Sequence, residues 1–290
     1  MRTADRVDSA LYYKRRFVTA MTQPIHIGNQ TASSATYARA PFDFALKYGF
    51  DAFEWFSDKK GHQGWHEADF DAGTRADIRE TGMRHNIFYS VHAPWQANPL
   101  HPDGVLPLYT SVDFAHDIGA KIVNLHLYMD KGPHEFVKVL LPVIHYATSK
   151  NVRISIENTP HTSPEDFNQT FAAFKATNEV SGKNVGMCLD IGHANITDST
   201  RFDYIKYIDQ LSADVPIIHL HVHENYGDHD SHLTLFTGPS GQNDAGIRAF
   251  IERLKRRKYE GAMIMEQWPH DATQLLVARA RLRMLMDVHG

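Results

Sequence analysis

The chain has 290 residues, 42% of them hydrophobic, and a formal net charge of −4 at pH 7. This length fits one large globular domain or two small ones, and the charge provides no general attraction to nucleic acid or acidic membranes. The single cysteine, Cys188, excludes an internal disulfide and is typical of a reducing compartment, so we expect a cytoplasmic location. No apolar run reaches the roughly 18 residues that a membrane span requires, so no membrane partner is expected.

The first residues differ in pattern from the rest of the chain. Basic and acidic side chains are interspersed over residues 1–22, and no continuous apolar segment of the kind found in a secretory signal is present. We interpret residues 1–22 as an N-terminal extension and residues 23–290 as the folded domain. Because Met21 stands shortly before the first predicted strand, we expect the extension to be dispensable for activity.

From there the chain repeats one pattern eight times. Roughly 28 to 43 residues separate the ends of successive predicted strands, which is the size of a strand–loop–helix–loop unit. The intervening segments carry apolar residues at helical spacing, as in Ile247, Phe250, Ile251 and Leu254. The predicted strands are Pro24–Gly28, Asp51–Phe56, Ile87–His92, Lys121–His126, Val152–Glu157, Val185–Asp190, Ile217–His223 and Gly261–Glu266.

Eight strands alternating with eight helices predict an α/β fold of the (β/α)8 TIM-barrel type, in a single domain. The competing doubly wound open sheet is disfavoured because the chain has no glycine-rich dinucleotide-binding motif. The start of one helix can be read locally, since Ser163 and Pro164 are typical of an N-cap and a first helical position. Gly49, Gly82 and Gly119 are predicted to end helices.

The stretch Ile217–His232 carries the strongest functional signal. Read as a strand, it places imidazoles on one face and aliphatic side chains on the other: His219, His221 and His223 against Ile218, Leu220 and Val222. Buried ring nitrogens need partners, so something polar or metallic must face this strand. Asp230 and His232 follow on the next loop and add further ligand chemistry. The stretch therefore predicts a metal site.

Chemically active side chains also occupy the last inward-facing position of most predicted strands: Glu54, His92, His126, Glu157, Asp190, His221 or His223, and Glu266. In a barrel these positions meet at the C-terminal mouth, where active sites of this architecture form. Isolated carboxylates facing the interior would cost several kcal/mol unless they were paired or metal-bound. We predict a buried ion pair of Glu54 with Arg153. We predict that Glu157, Asp190, His221 and Glu266 bind a metal ion. Taken alone, His92 and His126 are also compatible with hydrogen-bonded core residues or with residues that contact the substrate.

At these residues the sequence resembles the xylose isomerase-like barrel superfamily, which includes sugar phosphate isomerases and epimerases and the endonuclease IV-type AP endonucleases. The resemblance runs from Pro24 to the C-terminus. Its motifs are ISIENTP (154–160), CLDIGHAN (188–195), HLHVHEN (219–225) followed by DSHL (230–233), and MIMEQWP (263–269). It implies a catalytic divalent metal held by Glu157, Asp190, His221 and Glu266, with His193 contacting substrate or a further metal.

The resemblance implies isomerase or epimerase chemistry on a carbohydrate-like small molecule. Two neighbouring oxygens of a hydroxy-carbonyl substrate would chelate Mn²⁺, Zn²⁺, Mg²⁺ or Co²⁺, which would acidify the intervening C–H and stabilise an enediolate. Glu157 and Glu266, approaching from opposite sides, would remove and return the proton. Trp95 and Trp268 are candidate aromatics for stacking on the substrate.

A second function, in a different reaction class, is an alternative. Endonuclease IV-type enzymes hydrolyse a phosphodiester at a three-zinc site, and the matching additional positions here are His92, His126, Asp230 and His232. DNA cleavage is disfavoured because the strand–helix loops carry no basic stripe where phosphates would arrive. The sequence therefore favours a small carbohydrate-like substrate over nucleic acid, with one or more divalent metal ions, and does not encode an oligomeric state.

Overall fold

The protein, described here by a computed structural model over residues 25–31, 37–60 and 63–288, forms one closed barrel of parallel strands. In chain order the strands are β1 (His26–Gln30), β2 (Ala52–Phe56), β3 (Lys59–Lys60), β4 (Gln63–Gly64), β5 (Phe88–His92), β6 (Ile122–His126), β7 (Arg153–Glu157), β8 (Val185–Asp190), β9 (Ile217–Val222) and β10 (Ala262–Met265). Strands β3 and β4 pair as a small antiparallel hairpin, and the other eight form the barrel, closed by β10 against β1. The predicted single-domain (β/α)8 TIM barrel is confirmed.

Helices alternate with the barrel strands. They are α1 (Ala40–Lys47), α2 (Ala72–His85), α3 (Val105–Ile118), α4 (Gly132–Ser149), α5 (Pro164–Thr177), α6 (Ile191–Ile196), α7 (Tyr204–Gln210), α8 (Pro239–Gln242), α9 (Ala245–Arg256) and α10 (Thr273–Val288). None of the helices in the described ranges is long and apolar enough to cross a membrane. The predicted strands agree with the observed ones to within two residues at each end. The predicted extension over residues 1–22 lies outside the described residues.

Local sequence signals explain several helix boundaries. Ser163 caps α5, since its hydroxyl accepts a hydrogen bond from the Asp166 amide and the Asp166 carboxylate accepts one from the Ser163 amide. Gly119 ends α3 with a φ of +79°, in the left-handed region that glycine tolerates best. Gly49 likewise follows the end of α1.

The prediction for Gly82 is wrong, because this residue lies inside α2. The helix continues to His85 and ends at Asn86, which adopts the left-handed conformation with a φ of +52°. A Cβ atom on Gly82 would lie 2.3 Å from the Tyr89 ring. A glycine is therefore required here for packing between α2 and β5.

Strand alternation separates the apolar layer from the polar interior. On β2, Phe53 and Trp55 pack in the main hydrophobic core, while Glu54 between them is fully buried among polar side chains of the barrel interior. Burying an aromatic or aliphatic side chain of this size contributes about 1.5–3 kcal/mol, so the core layer stabilises the barrel that positions the interior groups.

An ionic contact joins the C-terminal helix to the start of the barrel. The Asp51 carboxylate accepts hydrogen bonds from the Ile27 amide at 2.8 Å and from the Arg283 guanidinium, on α10, at 2.6 Å. Burial would raise the pKa of the Asp51 carboxyl, but the hydrogen bonds from His26 and Ile27 and the charge of Arg283 hold it below its usual range.

Candidate metal centre

Four predicted ligands meet at the C-terminal mouth of the barrel. Glu157 and Asp190 end β7 and β8, His221 lies on β9, and Glu266 directly follows β10. One donor atom from each of these side chains lies within 4.8 Å of the others, and we call them the inner group. The Nδ1 atom of His221 is 3.2 Å from Glu157 Oε2 and 3.0 Å from Glu266 Oε2. The structure therefore brings all four together.

The inner group has the donor set of a metal site. Glu157 Oε1, Asp190 Oδ2, His221 Nδ1 and Glu266 Oε2 are buried without a hydrogen-bond partner among the described residues. A buried polar atom left unsatisfied costs about 1–3 kcal/mol. In the described part of the chain, the ion-pair partners of these three carboxylates are all histidines. Carboxylate and imidazole ligands of this kind fit a divalent cation.

A middle group shares Glu157 with the inner one. His92 Nε2 lies 3.2 Å from Glu157 Oε2, and His126 Nε2 lies 3.8 Å from Glu157 Oε1. The other ring nitrogen of His92 is 2.6 Å from the Ala93 carbonyl, which leaves Nε2 directed to the site. Burial lowers the pKa of His126 to about 4, so this ring is neutral at pH 7 and can act as a ligand.

An outer group lies at the rim of the mouth. His193, on α6, and His232, on the loop after β9, place their Nε2 atoms 3.2 Å and 3.1 Å from Asp230 Oδ2. Their Nδ1 atoms lie 2.7 Å from the Asn158 carbonyl and 2.8 Å from the Glu266 carbonyl. Although burial opposes it, Asp230 raises the pKa of His232 to about 9.

Glu54 contacts the ring nitrogen of His221 that faces away from the other residues of the inner group. The predicted ion pair of Glu54 with Arg153 is wrong. Arg153 instead donates a hydrogen bond to the Gly182 carbonyl at 2.7 Å. Glu54 Oε1 lies 2.8 Å from His221 Nε2, and Glu54 Oε2 lies 2.8 Å from His219 Nε2. Burial would raise the pKa of Glu54, but His221 and His219 hold it well below its usual range. A carboxylate on the second ring nitrogen is the usual support for a metal-binding histidine.

Two asparagines that the sequence reasoning did not assign also position ligands. Asn124 donates a hydrogen bond to Glu157 Oε2. Asn158 donates from Nδ2 to the Asp190 carbonyl at 2.9 Å and accepts from the Asp190 amide at 2.8 Å. Asn158 directly follows Glu157 within the ISIENTP motif, so the motif itself carried a signal for it. Asn124 stands two residues before His126, which offers no comparable pattern.

The two candidate substrate aromatics occupy different environments. The Trp268 ring centroid lies 4.9 Å from that of His232, and the side chain lines a cavity of about 330 Å³ together with Asn29 and Gln30. Trp95 lies on the loop after β5 with 48% of its surface exposed. Trp268 is therefore adjacent to the candidate metal groups, and substrate contact by either tryptophan stays a prediction.

Comparison with known proteins identifies relatives of this barrel. Residues 42–288 match the family described as xylose isomerase-like TIM barrel. The uncharacterized protein MJ1311 of Methanocaldococcus jannaschii is 23% identical over 211 residues, which cover 65% of this chain and 67% of that protein. The crystal structure of a D-tagatose 3-epimerase-like protein superposes with a TM-score of 0.69 at 19% identity, covering 91% of this chain and 98% of the other. A D-psicose 3-epimerase solved in the presence of D-fructose has a TM-score of 0.67 at 15% identity, covering 90% and 99%.

Proposed function

Because the chain belongs to the xylose isomerase-like TIM barrel family, we propose that it is a divalent-metal-dependent isomerase or epimerase of a sugar-like hydroxy-carbonyl compound. The observation that carries this proposal is the convergence of four buried ligand atoms, two of them on the carboxylates of Glu157 and Glu266. The fold shared with structures named as D-tagatose 3-epimerase-like and D-psicose 3-epimerase supports the same reaction class.

The cavity beside Trp268 supports a neutral, hydroxyl-rich substrate. It adjoins the inner group through Gln30, which lines it and donates a hydrogen bond from Nε2 to Glu266 Oε1 at 3.3 Å. Its polar lining includes the amides of Asn29, Gln30 and Gln267, and no lysine or arginine of the described residues lines it. Asn29 Oδ1 and Gln30 Oε1 are buried without a hydrogen-bond partner, so both can accept a hydrogen bond from a hydroxyl group. A phosphate group would find no lysine or arginine here among the described residues, and His270 is the titratable side chain in the lining.

The proposed reaction is a proton transfer at carbon. When bound by Glu157, Asp190, His221 and Glu266, a divalent ion would polarise the substrate carbonyl and stabilise the enediolate. One of Glu157 and Glu266 would take the proton from the carbon, and the other would return it. Burial would raise the pKa of both carboxyls, but the neighbouring imidazoles, His221 foremost, hold each below its usual range. Both groups are therefore ionised at pH 7 and can act as bases.

The test replaces each candidate base by its amide. Glu157→Gln and Glu266→Gln should each lower turnover on a panel of ketoses and inososes by about 100-fold or more, the usual contribution of a general base. For a substrate of one configuration, the variant that lacks the carboxylate facing the C–H should also lose exchange of that hydrogen with deuterium from the solvent, and the other variant should lose exchange with the opposite epimer. The exposed carboxylate of Glu260 offers a matched control, and Glu260→Gln should behave like the parent. Retained turnover in both site variants would refute the two-carboxylate mechanism.

One observation favours a second candidate, a multinuclear phosphodiesterase of the endonuclease IV type. The middle group places His92 and His126 against the same carboxylate that belongs to the inner group. In such a hydrolase both histidines would hold an additional ion, so replacing both by glutamine should remove one ion per chain and abolish hydrolysis of bis(4-nitrophenyl) phosphate. In the epimerase the metal content should stay unchanged by this double replacement.

A further inference from the structure

A free thiol lies in the barrel interior next to the inner group. Cys188, on β8, is fully buried and is the only cysteine of the chain. Its neighbours Met187 and Leu189 pack in the main hydrophobic core. Because side chains alternate along a strand, the thiol points the other way, with Asp190, into the barrel. Cys188 therefore stands one inward-facing layer below the inner group, among the polar side chains of the interior.

An irregularity between two strands aligns this thiol with His219. Met187 and Cys188 are consecutive on β8, yet their partners on β9 are two residues apart, so that Ile218 is skipped and Cys188 lies opposite His219. Gly186 leaves space for the skipped residue, since a Cβ atom there would lie 2.5 Å from Ile218 Cγ2. Bulges of this kind re-aim side chains beside active sites. The thiol is thus paired with an imidazole where regular strands would pair it with an isoleucine.

His219 has a ring nitrogen that none of the described residues uses. The ring is fully buried, its Nε2 lies 2.8 Å from Glu54 Oε2, and its Nδ1 is buried without a hydrogen-bond partner in the described part of the chain. Because Nε2 donates its proton to the carboxylate, Nδ1 carries a lone pair. A buried acceptor left without a donor is destabilising. This nitrogen is therefore available to a ligand that accepts a lone pair, which a metal ion does.

The thiol, this imidazole and a second one come together as a donor set. One donor atom each from Cys188, His219 and His221 lies within 4.8 Å of the others, and we call these residues the thiol group. The ligand atoms of a bound zinc ion are about 3.3–3.6 Å apart, so small side-chain movements would close the set on an ion. One thiolate and two imidazoles suit a thiophilic ion such as Cu⁺, Zn²⁺ or Cd²⁺, whereas the carboxylates of the inner group suit a harder ion such as Mn²⁺.

His221 belongs to both the thiol group and the inner group. Its Nδ1 lies 3.0 Å from Glu266 Oε2, and its Nε2 lies 2.8 Å from Glu54 Oε1. A ring nitrogen given to an ion in the thiol group is therefore taken either from the inner group or from the carboxylate that supports His221. An ion in the thiol group would weaken binding of an ion in the inner group, and thermodynamic linkage makes the effect reciprocal.

We propose that Cys188, His219 and His221 bind a thiophilic metal ion in the barrel interior, and that this ion and the ion of the inner group weaken each other's binding. On binding, the thiol becomes a thiolate, a sulfur–metal bond forms, and one proton passes to the solvent. The site itself goes beyond the proposed function. The mutual weakening rests on the metal ion that the proposed function places in the inner group.

The first experiment titrates Cd²⁺ alone into the metal-free full chain. Because the chain has one cysteine, a cadmium–thiolate charge-transfer band in the ultraviolet reports the thiol group alone, and Cys188→Ser supplies the blank. His219→Gln can still donate an N–H to Glu54 but lacks the free imidazole nitrogen. It should lower the Cd²⁺ affinity reported by the band at least about 100-fold, since loss of an outer-shell partner alone costs 10–100-fold. His232→Gln, which removes an imidazole at the rim of the mouth, should titrate like the parent.

A measurement on the parent keeps the test decisive if His219→Gln does not fold. The cadmium ion that gives the band should show scalar coupling in NMR spectra to the β protons of Cys188 and to the ring protons of two histidines. Coupling to the cysteine without any histidine would place the ion elsewhere and overturn the proposal. The absence of the thiolate band in the parent, or a parental Cd²⁺ affinity in a folded His219→Gln, would also overturn it.

The mutual weakening is measured by repeating the Cd²⁺ titration in the presence of Mn²⁺, whose binding is followed by electron paramagnetic resonance. Saturating Mn²⁺ should raise the Cd²⁺ dissociation constant at least about fivefold, the lower end of typical coupling between sites. An unchanged constant in a chain that has bound Mn²⁺ would overturn the shared use of His221. A chain that binds no Mn²⁺ would refute the metal of the proposed function, and with it the mutual weakening, whereas the thiolate band and the His219→Gln titration would still decide the thiol group.

Discussion

Replacing Glu54 by glutamine should weaken metal binding without touching any candidate ligand atom of the inner group. Glu54 lies 2.8 Å from His221 Nε2 and 2.8 Å from His219 Nε2, and it accepts hydrogen bonds from Gln30 at 2.7 Å and Ser90 at 2.8 Å. Glutamine has nearly the same volume, so the barrel interior stays filled. One of the two acceptor oxygens, however, becomes an NH₂ group that faces a ring N–H.

The expected magnitude follows from the role of the carboxylate behind the ligand. Glu54 holds Nδ1 of His221 toward Glu157 and Glu266, and the negative charge makes the imidazole a better ligand. Losing such an outer-shell partner typically costs 10–100-fold in metal affinity, which is about 1.4–2.8 kcal/mol. The affinity of the inner group is measured by titration with Mn²⁺, with the free ion followed by electron paramagnetic resonance.

A matched control separates the charge from general disturbance of the interior. Ser90→Ala removes one hydrogen bond to the same Glu54 carboxylate but leaves the carboxylate on His221. Its effect on Mn²⁺ affinity should be much smaller than that of Glu54→Gln. A dissociation constant for Glu54→Gln equal to the parental value, in a protein whose circular dichroism is unchanged, would refute this reasoning.

Three further predictions concern stability and substrate binding. The folded-state pKa of Asp51 is lowered, so its stabilising contribution is present above the unfolded pKa near 3.9 and is lost as the pH falls through the folded value. Asp51→Asn should therefore lower the free energy of unfolding by about 1 kcal/mol at pH 7. Urea titrations should show that this difference between parent and variant shrinks as the pH falls below the unfolded pKa. A difference that does not change with pH would contradict the prediction. Gly28→Ala should cost about 1–3 kcal/mol, because the new Cβ would lie 2.4 Å from the Ala52 carbonyl oxygen, and an unchanged melting temperature would disprove that clash. Trp268→Ala should raise KM with little change in kcat, because Trp268 lies beside the candidate metal groups and is expected to contact the substrate. An equal rise in KM for Trp95→Ala would show that this proximity does not explain the effect.

Much of the candidate site could be predicted because barrel geometry converts a local pattern into a spatial one. Strand periodicity assigns each residue to a face, and parallel strands bring their C-terminal ends to a single mouth. Glu157 and Asp190 end their strands, His221 is the next-to-last residue of β9, and Glu266 follows β10. Their meeting in the structure therefore follows from their positions along the chain. The capping of α5 by Ser163 is local in the same sense.

Closure of the barrel and the packing of side chains decided which buried side chains contact one another in the candidate site. Strand alternation correctly predicts that the Glu54 side chain points into the barrel. Only the closed barrel determines that it contacts His219 and His221 and not Arg153. His223 shares a face with His221 in sequence, yet its ring reaches the outer group because Gly192 on another segment leaves space for it. The sequence by itself thus determined the fold class, the eight barrel strands and the chain positions of the inner group, since these depend on backbone periodicity, whereas it gave no signal for the β3–β4 hairpin. Tertiary structure alone decided which side chains meet across the barrel, because those contacts join residues that no local spacing relates.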